Sequence, residues 1–101
     1  MRKMSGDRQN EHILVCLSSS PSNERIVCTA AQMARAFGGN LTALYVQTPD
    51  AAGMNAEDRS RLQANTLLAE RLGAEIVTTH GEDVATQIAE YARLSGATRV
   101  I

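Results

Sequence analysis

The densest run of hydrogen-bonding side chains is Ser18-Ser19-Ser20-Pro21-Ser22-Asn23. It follows an apolar run and precedes an amphipathic one, so it falls between a strand end and a helix start. Backbone N–H groups are free at a helix N-terminus, and the helix dipole there favours negative charge. With serine hydroxyls beside them, such a turn can take a phosphate or another small anion. Ser20 and Ser22 are equally suited to cap the helix. The two roles are compatible. Tyr45, at the end of a second apolar run, is one of three aromatic residues, with Phe37 and Tyr91. Its ring either stacks on a base or packs within a strand with its hydroxyl at the surface.

Other reactive side chains form no such group. His12 and His80 are isolated, with no Cys, His or carboxylate at metal-ligand spacing. Cys16 and Cys28 have no histidine base near them in sequence, which argues against nucleophilic catalysis. Glu57, Asp58, Glu70 and Glu75 read as solvated faces. A Walker lysine is absent, and no GxGxxG follows the first apolar run. No catalytic residue and no metal site is expected, so a small α/β enzyme of adenylyl-transfer topology has the least support.

These residues need elements to position them. His12 to Leu17 (HILVCL) is a continuous apolar, β-branched run, which predicts a strand buried on both faces of a parallel sheet. Ser20 before Pro21 predicts the cap and first residue of a helix whose buried stripe is Ile26, Ala30, Ala34 and Phe37, broadened by Val27, Ala31 and Met33. Gly38-Gly39 ends it. Leu41 to Val46 is the second strand, with Thr42 and Leu44 on one face and Ala43 and Tyr45 on the other. Gln47 to Gly53 is a loop. Asn55 with Asp58 three residues on predicts a second helix start. Leu62, Leu68, Ala69 and Leu72 form its apolar side, and Gly73 closes it. Ala74 to Thr79 is a third strand. Glu82 and Asp83 open a third helix, with Val84, Ala85, Ile88, Ala89 and Ala92 toward the core. Gly96 ends that helix, and Ala97 to Ile101 begins a fourth strand.

The order β-α-β-α-β-α-β predicts an α/β fold: an open, doubly wound parallel sheet with helices on both faces. Residues 1–11 read as a polar tail and 12–101 as one domain. The chain stops in its fourth strand, so the expectation is a fragment cut before a fifth strand, the alternative being a bare edge strand open to pairing with another chain. Composition narrows the partners. Ten Lys+Arg against eleven Asp+Glu gives a net charge of −1, too even for electrostatic binding of a nucleic-acid polymer or a membrane surface. With 44% hydrophobic residues the chain is too apolar to be disordered. No apolar run of spanning length and no signal peptide is present, so the expected compartment is the cytoplasm, with reduced thiols.

ILVCLSSSPSNE, LTALYV, GAEIVT and GEDVATQIAEYAR together resemble the universal stress protein family, in the version found in KdpD-type potassium-sensing histidine kinases. The likeness covers His12 to Ile101. It implies strand order 3-2-1-4-5, and a cytoplasmic regulatory domain of a longer, membrane-anchored sensor kinase. ATP-binding members carry an Asp after the first strand, where this chain has Leu17-Ser18. They also carry a glycine-rich stretch after the fourth strand, which would begin beyond Ile101. A second family pattern, associated with cyclic di-AMP, is Ser-x-Ser, twenty residues, then Phe-Thr-Ala-x-Tyr. This chain has Ser18-Ser19-Ser20, then Pro21 to Asn40, then Leu41-Thr42-Ala43-Leu44-Tyr45, departing only at Leu41. The resemblance therefore implies cyclic di-AMP before ATP as ligand, with Ser18, Ser20, Thr42, Ala43 and Tyr45 as binding residues. It also implies partners among kinase domains of the same protein or other universal stress proteins, a second copy of the chain included. The alternative is a ligand-free module that docks those same partners.

Overall fold

A computed structural model describes residues 11–101, so the expected polar tail at residues 1–11 lies outside the described residues except for Glu11, which is tied to the sheet through Asn40 and Thr98. Four strands and three helices alternate: β1 (His12–Cys16), α1 (Asn23–Phe37), β2 (Asn40–Gln47), α2 (Ala56–Arg71), β3 (Glu75–His80), α3 (Val84–Ser95) and β4 (Arg99–Val100). A short 3-10 turn, Pro49–Gly53, interrupts the expected loop. The strands are parallel in the order β3-β2-β1-β4. The apolar run of β1 lies at the centre of this sheet, with Ile13, Leu14 and Val15 wholly buried.

Strand alternation sorts the core into two clusters. Ile13, Val15, Leu41 and Ala43 meet α1 and α2 through Val27, Ala30, Ala31, Ala34 and Ala69. On the other face, Leu14, Leu44 and Val46 meet Ile88, Tyr91 and Ala92 of α3. Each large aliphatic side chain so buried contributes on the order of 1.5–3 kcal/mol.

Three expectations are corrected. Helix α1 starts after Ser22, not Ser20, with no capping hydrogen bond from the Ser22 side chain, and Pro21 lies in the turn before it. The Asn23 N–H reaches the Ser20 carbonyl at 3.0 Å and closes that turn. As a result Asn23 is the first inward residue, and the buried stripe runs Asn23, Val27, Ala30, Ala31, Ala34; Ile26 is exposed and Phe37 only half-buried. Helix α3 buries no residue completely, and Val84, Ala85 and Ala89 are exposed, because its packing is confined to the partly buried Ile88, Tyr91 and Ala92 against Leu14, Leu44 and Val46. Asp58 is not on a solvated face: it is half-buried and paired with Arg61 at 3.1 Å.

Local signals account for the helix ends. The Asn55 side chain accepts from the Asp58 N–H at 2.7 Å, as its spacing predicts. Gly38, at φ 66°, takes the left-handed conformation that ends α1. Gly39 is required for a different reason: a Cβ there would lie 2.4 Å from the Glu11 carbonyl oxygen. That carbonyl accepts the Asn40 N–H at 3.0 Å and starts the β1–β2 ladder.

Candidate functional site at the carboxyl ends of β1 and β2

Parallel strands deliver their carboxyl ends to one edge of the sheet, and β1 sits where the strand order reverses. Register pairs Cys16 with Leu44, so Ser18 and Tyr45 leave the sheet at similar heights. Ser18, Ser19, Tyr45, Thr48 and Asp58 line a cleft of about 400 Å3, together with Cys16, Leu44 and Val46 of the strands and Val84 and Ile88 of α3. Burial pushes the Cys16 thiol pKa up from its ordinary value. Tyr45, Thr48 and Met54 also line a second cleft, of about 780 Å3, which adds Gln47, Arg59 and His80. Both volumes fall within the range of small-molecule sites.

The serine turn is ordered by its own polar groups. The Ser18 hydroxyl oxygen accepts the Ser20 N–H at 3.2 Å, and the Ser20 hydroxyl oxygen accepts the Ser22 N–H at 3.2 Å. A hydroxyl has one donor and two acceptor positions. With one acceptor position engaged by an amide, the Ser18 hydroxyl keeps its O–H to donate, as contact with an anion requires. The Ser20 hydroxyl lies 2.9 Å from that of Ser22, and either can donate.

Two buried asparagines hold the turn. Asn23, 3% exposed, donates to the Cys16 carbonyl at 2.9 Å and accepts the Ser18 N–H at 3.1 Å. Asn65 of α2, 6% exposed, donates to the Ser18 carbonyl at 2.9 Å and the Ser20 carbonyl at 3.4 Å. Arg61, one turn earlier, donates to the Ser19 carbonyl at 2.7 Å and to Asp58 at 3.1 Å. Sequence reasoning placed Asn23 in the polar run but not its inward role, and missed Asn65 and Arg61. Asn23 could have been found, because a polar residue at the head of an apolar stripe needs an internal partner. Asn65 and Arg61 act across more than forty residues, and no local pattern announces that.

The five residues expected at the ligand are not brought together as one surface. Ser18 and Tyr45 line the same cleft, and Ser20 is exposed beside it. Ala43 is wholly buried in the α1–α2 core, and Thr42, 2% exposed, lies on the opposite face of β2. The Thr42 hydroxyl is 2.8 Å from Nε2 of His12, near the amino ends of the strands. Leu41, which stands where the family pattern has Phe, is buried in the same cluster as Ala43. His80 ends β3 and lines the larger cleft. Among the described residues, no three His, Cys, Asp or Glu side chains converge to hold a metal ion. No helix among them is long and apolar enough to cross a membrane.

The model of the universal stress protein family matches residues 9–101. The chain belongs to that family. It is 45% identical over 92 residues to the sensor protein KdpD of Clostridium acetobutylicum, an alignment covering 91% of this chain and 10% of that protein. The chain thus spans about one tenth of the curated relatives it matches. Among solved structures, a universal stress protein in complex with cAMP superposes with a TM-score of 0.68 at 22% identity, over 91% of this chain and 71% of that one. The universal stress protein of Archaeoglobus fulgidus in complex with dAMP gives 0.57 at 20% identity, over 90% and 78% of the two chains. These likenesses agree with the open parallel α/β sheet read from the sequence.

Proposed function

We propose that this universal stress domain is a non-catalytic, cytoplasmic regulatory module of a membrane-anchored, KdpD-type potassium-sensing histidine kinase, and that it binds an adenine nucleotide, cyclic di-AMP before ATP. The observation that carries the reading is the shared cleft of Ser18, Ser19 and Tyr45 at the carboxyl ends of β1 and β2. Two family structures described as cAMP and dAMP complexes support the ligand class, and the sensor-protein relative supports the context. In this reading Ser18 and Ser20 donate to phosphate or ribose, and the Tyr45 ring lies against adenine. Thr42 and Ala43 act from behind: the first ties β2 to His12, and the second is small enough for α1 to close over the strand.

Calorimetric titration with cyclic di-AMP and with ATP tests this. Saturable binding of cyclic di-AMP, weakened about tenfold or more by Tyr45→Ala, is the expected result, since base–aromatic stacking is worth about 1–3 kcal/mol. Absence of heat with either nucleotide at high micromolar concentration removes the ligand reading. The second reading then stands: a module that docks kinase domains or other universal stress proteins. Its support is the exposed apolar surface of α3 and β4, including Leu94 at 72% and Val100 at 50% exposure.

A further inference from the structure

An anion site built from a backbone turn needs its N–H groups and hydroxyls facing the anion and its carbonyl oxygens turned elsewhere, because a carbonyl dipole aimed at a phosphate repels it. In the serine turn all three serine carbonyls are engaged. Asn65 donates to those of Ser18 and Ser20, and Arg61 donates to that of Ser19. The Asn23 N–H adds a second donor to Ser20. Asp58 holds Arg61 at 3.1 Å while also lining the cleft. The clamp therefore comes mainly from α2, although sequence order assigns the turn to β1 and α1.

We propose that Asn65 and Arg61 are positioning residues for the phosphate end of the ligand. By occupying the carbonyls of Ser18, Ser19 and Ser20, they keep the turn's acceptors engaged; with the Ser18, Ser20 and Ser22 amides held inside the turn, the Ser19 N–H and the serine hydroxyls are left to meet the ligand. Neither residue needs to touch the nucleotide. The inference rests on the nucleotide-binding reading above, and it adds that α2 sets the affinity for the phosphates.

The test is Asn65→Leu, close in volume but without donors, with cyclic di-AMP as the probe. Affinity is measured by calorimetry. The Ser19 amide and Tyr45 ring signals are followed by NMR during titration of the 101-residue chain. The expected result is a fall of about tenfold or more in affinity, as for loss of an interaction of about 1.4 kcal/mol. The Ser19 amide should cease to respond while the Tyr45 ring still does at saturating ligand. Arg61→Met should act in the same direction and Arg61→Lys should recover most of the loss. Affinity within twofold of the parent in Asn65→Leu overturns the proposal. So does loss of the Tyr45 response along with that of Ser19, which marks a general loss of structure. A parent that binds no adenine nucleotide fails the nucleotide reading itself, and the clamp proposal with it.

Discussion

The two faces of the sheet are finished differently. The face under α1 and α2 buries a continuous cluster from Ile13 to Ala74, and the asparagines that hold the serine turn lie on this side. The face under α3 has three buried residues, Leu14, Leu44 and Val46, and a helix with none. The amino acids available do not explain this, because α3 carries as clear an apolar stripe as α1. The difference lies in what is beneath the helix. Helix α1 rests against both β1 and β2, whereas α3 rests mainly on β2. An amphipathic helix takes its stability from the surface it covers, so α3 should be the element that opens first.

The comparison can be broken by measuring what each face contributes. Ile13→Ala, on the closed face, should cost the most, about 4 kcal/mol in chemical denaturation, as for other wholly buried isoleucines. Asn23→Ala should follow at about 2–3 kcal/mol, because it strands the Ser18 N–H and the Cys16 carbonyl near the core. Ile88→Ala, on the half-covered α3, should cost only about 1 kcal/mol, and Leu94→Ser less than about 0.5 kcal/mol. Equal losses for Ile13→Ala and Ile88→Ala would end the distinction between the faces.

The smallest effect is a slope with pH. Burial raises the pKa of the Cys16 thiol above its ordinary 9.0, so the folded state favours the neutral thiol. The resulting stability is complete below the unfolded pKa and is lost as pH rises through the folded one. Denaturation midpoints should therefore fall as pH rises above that ordinary value, and Cys16→Ala should flatten that fall.

Elements were legible where one local rule sufficed. The β-branched run of β1, the Asn55 cap and the Gly38 stop each depend on a few neighbouring residues, and each appears within a residue or two of its expected place. The start of α1 was displaced because Ser20-Pro21 fits a cap by type, but the turn it forms delays the helix until Asn23. That delay rotated the buried stripe off Ile26. For α3 the period was legible and the depth of burial was not, since burial depends on how closely the helix sits on strands distant in sequence. At the site, Ser18 and Tyr45 could be placed at one sheet edge from the twenty-residue spacing alone. Thr42 and Ala43 belong to the same motif but lie too far down β2 to reach that edge. The clamp from α2 was invisible because its partners are distant in sequence.

The smaller cleft draws its lining from both sides of the sheet. Tyr45 belongs to the α1–α2 layer, whereas Cys16, Leu44 and Val46 face the α3 layer, and Asp58 and Ile88 approach from opposite helices. Everywhere else the strands keep these layers apart. A molecule seated at this rim would fasten them to each other as a rivet joins two plates, and the loosely held α3 would gain its firmest attachment from something that is not part of the chain.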